Sequence, residues 1–125
     1  MMAMFEVGDI MSKIKIRVTI INKEEDNSYE TTGILNNNEL KYVEDNNTKV
    51  TLNYKENRLI RKNESLRMNY LFDINKETPG TIKIEELGED INVSINTNKI
   101  EKDNNNILIE YTIEGDKFLY RIEEI

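Results

Sequence analysis

The sequence contains no cysteine, no histidine and no tryptophan in 125 residues. Without cysteine there is no disulfide, no thiolate nucleophile and no cysteine-based metal site. Without histidine, imidazole general-base catalysis and His-ligated zinc or copper are excluded. Ser12, Ser28, Ser65 and Ser94 therefore have no imidazole to activate them. Proline occurs once, and no apolar run approaches the length of a transmembrane helix. The N-terminus lacks a basic region followed by a long apolar one, so the reading expects a cytoplasmic protein with no signal peptide. The N-x-[ST] matches at Asn46, Asn63 and Asn92 then carry no glycosylation meaning.

Positive charge is also scarce. Seventeen Lys and Arg stand against twenty-four Asp and Glu, a net charge of −7. Nucleic-acid binders and proteins that dock on anionic membranes need a basic field, so neither partner is expected, although a local basic patch can escape the average. Hydrophobic residues make up 38% of the chain and charged residues 33%. That balance is polar for a globular domain, but the apolar residues are patterned rather than sparse, which separates the chain from a disordered one.

The pattern has a period of two. Ile14, Ile16, Val18 and Ile20 alternate with Lys13, Lys15, Arg17 and Thr19. Leu66, Met68, Tyr70 and Phe72 repeat the alternation, followed by Ile82 and Ile84 and by Ile91, Val93 and Ile95. The chain closes with Ile107, Ile109, Tyr111 and Ile113, and then Phe118, Tyr120 and Ile122. Such spacing places one set of side chains on a dry sheet face and the other on a wet face. Asn36-Asn37-Asn38, Asp45-Asn46-Asn47 and Glu114-Gly115-Asp116 read as turns, the last as a hairpin with a Gly-Asp turn. Pro79 reads as a connection between strands, where its missing N–H costs least. Gly33 reads as a bend or bulge, and residues 98–106 as a polar loop holding Ile100. About ten short strands result, with turns every 8–12 residues or so, and no segment sustains a helical period. Sequential strands joined by short turns become neighbours, and closure removes the unpaired edges. The expected fold is all-β, an antiparallel up-and-down barrel over residues 13–125. Residues 1–12, rich in methionine, read as a tail or as a segment capping the barrel.

The run Thr78-Pro79-Gly80-Thr81-Ile82-Lys83-Ile84, followed by Ile91 to Ile100 and then Ile107-Leu108-Ile109-Glu110-Tyr111-Thr112-Ile113, resembles the YwiB-like family of small bacterial proteins. Thr31-Thr32-Gly33, Tyr42-Val43-Glu44 and the Arg61 region before Leu66 fit the family's first half. The resemblance covers roughly residues 13–124 and departs at Asn63-Glu64, where an Arg-x-Gly-like turn is expected. It implies a calycin-like barrel, akin to lipocalins and fatty-acid-binding proteins, with no catalytic residues and no known ligand to carry over. With no tryptophan, the lipocalin Gly-x-Trp motif is absent. The Arg-x-Tyr of fatty-acid-binding proteins is also missing from Leu119-Tyr120-Arg121-Ile122-Glu123, so a lipid-binding role is an analogy of fold alone.

Carboxylate groups at Glu24-Glu25-Asp26, Glu85-Glu86 and Glu123-Glu124 have the chemistry of acid/base or metal pairs, but charged residues are mostly solvated surface. Asp103-Asn104-Asn105-Asn106 lacks the Gly and terminal Glu of a calcium loop and reads as a turn. No catalytic, metal or cofactor residue is assigned, and an enzyme is not expected. The tyrosines are more informative. Tyr29, Tyr42, Tyr54, Tyr70, Tyr111 and Tyr120 fall on or near apolar faces. A cavity reaching Tyr54, Tyr70, Tyr111 and Tyr120 would suit a small apolar or amphipathic ligand. The competing expectation is a barrel filled by its own side chains. Such a barrel would serve as an interaction module, for instance a homodimer, joined through out-of-phase apolar residues such as Ile34, Val43, Leu71 and Leu119. Arg17, Arg61, Arg67 and Arg121 are read as outward, with one of them guarding the barrel mouth.

Overall fold

Alternating side chains on ten successive segments leave one continuous apolar face, and that face closes on itself. A computed structural model describes residues 11–125, apart from the side chain of Asn46. The strands are β1 (Met11–Ile21), β2 (Asp26–Asn36), β3 (Glu39–Glu44), β4 (Thr48–Asn53), β5 (Arg58–Lys62), β6 (Leu66–Leu71), β7 (Thr78–Ile84), β8 (Glu89–Asp103), β9 (Asn106–Ile113) and β10 (Asp116–Glu124). Each pairs antiparallel with its sequence neighbours, and β1 pairs with β10 to complete a closed barrel. β1 already includes Met11 and Ser12, opposite Asn36 and Leu35. The rest of the expected tail or cap, residues 1–10, lies outside the described residues.

The inner faces carry the core. Ile16, Val18, Leu40, Leu52, Ile95, Ile109 and Ile122 have no exposed surface. Each such side chain contributes about 1.5–3 kcal/mol when it leaves water. Four aromatic rings pack against one another inside the barrel. Phe72 and Tyr111 have centroids 4.8 Å apart, Tyr70 meets both edge-on at 6.3 and 6.1 Å, and Phe118 stacks on Tyr111 at 5.1 Å.

Four local expectations need correcting. Residues 98–103 continue β8 instead of forming a loop. A bulge between Thr97 and Lys99 inserts one residue, so the inward set passes from Ile95 and Thr97 to Ile100. The change of phase hid the strand from a period-two reading. Pro79 is the second residue of β7, opposite Ser94. The β6–β7 ladder starts only at Gly80, so no partner on that side asks Pro79 for an N–H. The last hairpin turns on Glu114-Gly115, with Ile113 opposite Asp116, and both turn residues have positive φ. Gly33 is no bulge, because it pairs in regular register with Ile14. A Cβ at this buried position would stand 2.7 Å from Leu40 Cδ1, so the glycine makes room for a core leucine.

Candidate functional site

Gly33 also marks the place where two strands part. The β2–β3 ladder consists of Ile34↔Lys41, Leu35↔Leu40 and Asn36↔Glu39. β2 nevertheless begins eight residues before Ile34, at Asp26, and β3 runs on to Glu44. The two strands therefore diverge toward the barrel end that carries the β1–β2, β3–β4 and β5–β6 turns. The seam holds a cleft of about 490 Å³ lined by Ile20, Glu25, Tyr29, Val43, Glu44 and Arg61, among others. A second cleft of about 190 Å³ lies between Thr48, Asn63, Leu66 and Met68, and Arg61 borders both.

A polar network forms the floor of the seam. Tyr29 donates its hydroxyl to one oxygen of Glu44, and the Arg61 guanidinium donates to the other. Behind it, the hydroxyls of Tyr42 and Tyr120 meet at 2.6 Å in the core. Three features of the sequence build this arrangement. Glu44 continues the inward set Leu40 and Tyr42 at the last position of β3. Arg61 lies two residues after the buried Leu59 and so faces inward at the end of β5. Tyr29 sits on the free part of β2. The Glu44 side chain keeps only 10% of its surface exposed and that of Arg61 34%. The pair is thus partly desolvated, where charge-assisted hydrogen bonds are stronger than at an open surface. Arg61 Nε is buried and has no hydrogen-bond partner.

Electrostatics at the floor favour neutral hydroxyls and a fixed cation. Burial, together with the hydrogen bond and charge of Glu44, pushes the Tyr29 phenol above its ordinary range. Burial does the same to Tyr42 and Tyr120; their shared hydrogen bond raises Tyr120 further and acts the other way on Tyr42. For Arg61, burial acts to lower the pKa, but the Glu44 hydrogen bond and charge outweigh it and the net direction is up. Arg61 therefore stays charged at any physiological pH, as guanidinium groups do.

Of the expected site residues, Tyr70, Tyr111 and Tyr120 are buried in the barrel. Tyr54 is half-buried near the opposite end, where its hydroxyl donates to the carbonyl of Asn105 at 2.7 Å. Tyr70 and Tyr111 pack against each other and Phe72, Tyr120 bonds Tyr42, and Tyr54 closes a loop contact. None of them lines the seam cleft or its smaller neighbour. Sequence reasoning missed Glu44 entirely and placed Arg61 outward. The signal for both was present in the two-residue spacing from Tyr42 to Glu44 and from Leu59 to Arg61. Arg17, Arg67 and Arg121 do point outward, and Arg17 pairs with Glu30 on the outer wall at 2.9 Å. Of the out-of-phase apolar residues, Val43 is 52% exposed, while Ile34, Leu71 and Leu119 are half-buried. Among the described residues no cluster of acidic side chains has the arrangement of a metal site, and no helix is long and apolar enough to cross a membrane.

No protein-family model matches the sequence, and no curated protein matches it. Among solved structures, the crystal structure of the ywiB protein from Bacillus subtilis is similar to this chain. The TM-score is 0.65 and the sequence identity 18%, over 92% of this chain and 93% of that one. At that identity the likeness is one of fold: the chain has a YwiB-like closed β-barrel.

Proposed function

We propose that the protein is a non-enzymatic binding barrel, and that it takes a small amphipathic ligand at the β2–β3 seam rather than among the rings of its interior. The carrying observation is Arg61 Nε, a buried donor without a partner at the floor of a cleft of about 490 Å³. Leaving a charged donor unsatisfied costs more than about 1–3 kcal/mol, and a ligand acceptor that displaces the side chains covering Nε recovers it. Glu25, Glu30, Glu44 and Asp45 border the same cleft. An anionic head would meet them at close range, so an uncharged carbonyl or hydroxyl is the fitting acceptor. Ile20 and Val43 give the apolar part of the ligand a wall. A cytoplasmic setting belongs to this reading and is compatible with a chain that has no cysteine. The calycin analogy supports the general idea of a barrel that carries a ligand, though at its mouth.

Native mass spectrometry of the protein purified from its own host tests the proposal. The expected result is an added mass released on mild denaturation and absent from the Arg61→Lys variant, which keeps a cation beside Glu44 but loses the planar donor. A clean unliganded wild-type spectrum overturns it. A second reading, an interaction protein with a solid barrel, draws on the ring packing of Tyr70, Phe72, Tyr111 and Phe118 inside the barrel.

A further inference from the structure

The register places four cations side by side on the outer wall. Lys49 of β4 is opposite Lys62 of β5, Lys62 is opposite Arg67 of β6, and Arg67 is opposite Lys83 of β7. All four are exposed. At about 4.8 Å per strand the row is roughly 14 Å long. Like charges directly opposite each other on a sheet repel, and here three successive pairs do so on a molecule whose net charge is −7. The outer wall elsewhere compensates its cations, as Arg17 does with Glu30, Lys41 with Glu39 and Lys99 with Glu110. Among the described residues none of Lys49, Lys62, Arg67 and Lys83 makes a side-chain hydrogen bond or ion pair. Val43, 52% exposed, stands opposite Lys49 at one end of the row.

The complement of this surface lies at its other end. Lys83 is opposite Asp90, and the β7–β8 hairpin between them reads Glu85-Glu86-Leu87-Gly88-Glu89-Asp90. Every residue of that tip is exposed, and Leu87 keeps 63% of its surface in water. An acidic tip with one bare leucine thus adjoins a basic row with one bare valine. Two complementary patches that share a border are what a closed two-fold contact requires, because each copy then offers its tip to its partner's row while receiving the partner's tip on its own.

We infer that the β4–β7 wall is an interface for a second copy of this chain. The contact is an isologous dimer in which the β7–β8 tip of one protomer lies on the Lys62–Arg67 row of its partner. Charge complementarity selects the second copy over a nucleic acid. Among the described residues the outer wall offers Lys and Arg but no exposed Tyr or Phe on which bases stack, and the net negative field opposes a long polyanion. The charged contacts of the interface involve neither Arg61 nor Glu44, and only Val43 at the end of the row also borders the seam, so the charge-exchange test is independent of the ligand proposal.

A charge exchange tests it. The Lys62→Glu/Arg67→Glu variant reverses the row and the Glu86→Lys/Glu89→Lys variant reverses the tip. All four positions are exposed, and circular dichroism confirms that each variant folds. Sedimentation velocity on the wild type should show twice the chain mass, with the dimer weakened at least tenfold when salt is raised from about 0.05 M to about 0.5 M. Each variant alone should sediment as a monomer. An equimolar mixture of the two should recover the dimer, because both contacts of the mixed pair then join opposite charges. A wild-type monomer at millimolar concentration overturns the inference, whether or not it captures an acidic peptide or an oligonucleotide. Variants that dimerise alone, or a mixture that stays monomeric, also overturn it. Oligomers that keep growing with concentration overturn the two-fold arrangement in favour of an open, head-to-tail one.

Discussion

Tyr42 and Tyr120 share a hydroxyl–hydroxyl bond in the core, and Tyr42 also bonds Tyr29, so removing Tyr42 leaves Tyr120 without its partner and removing Tyr120 costs Tyr42 one of its two. Tyr42→Phe or Tyr120→Phe should each cost about 1–3 kcal/mol in urea unfolding. The double variant should cost less than the sum, since no orphan hydroxyl remains, and a double-mutant cycle reads that difference directly. Close packing sets a second residue-scale outcome. A Cβ on Gly80 would come within 2.9 Å of Ile95 Cδ1, Tyr70 Cδ1 and Val93 Cγ2 at once. Gly80→Ala should destabilise the barrel by about 1–3 kcal/mol, measured as a shift in urea midpoint at unchanged slope. Gly33→Ala should cost less, because its one severe contact is with the methyl end of Leu40.

At the scale of the element, turns and one bulge decide register. Asn37, Asn47, Asn57 and Asn104 all adopt positive φ, near +60°, a conformation that asparagine tolerates better than most residues. Glu114 does the same at φ 51 without that advantage. Glu114→Asn should therefore stabilise the β9–β10 hairpin by about 0.5–1 kcal/mol, visible as a raised melting temperature. Asn98 occupies the bulge of β8 between Thr97 and Lys99. Deleting it should join Thr97 directly to Lys99 in regular alternation and keep Ile100 inward, opposite Ile109, with the urea midpoint little changed. A large loss of stability would show that the barrel needs the local twist of the bulge and not only the register on either side of it.

For the whole molecule, the tyrosines make stability depend on alkaline pH. All six have pKa values raised above the ordinary 10.0, with burial the first cause in each case. Tyr54 is pushed up to about 12 by burial, with the charge of Glu124 adding to it. The unfolded chain loses its phenolic protons near pH 10, while the native barrel keeps them. Stability is therefore fully present below about pH 10 and falls as pH rises beyond it. Absorbance of tyrosinate should appear together with the loss of β circular dichroism, in one cooperative step. A gradual titration centred near pH 10 with the barrel intact would contradict this burial.

Period-two alternation determined the strands and their inner faces, because a strand turns successive side chains to opposite sides whatever its neighbours are. The chain alone also specified the asparagine turns and the near-absence of helix. The closed up-and-down barrel already follows from ten strands joined by short turns, whereas the parting of β2 from β3 beyond Gly33 and the meeting of Tyr29, Glu44 and Arg61 are tertiary. They depend on which strands pair and how far each ladder runs. Arg61 shows where the two levels meet. Its spacing from Leu59 already implied an inward side chain, but a charge at that position makes sense only once Glu44, from a different strand, is there to meet it. The row from Lys49 to Lys83 follows the same logic. Each cation obeys its own strand's alternation, and only the register across four strands lines them up.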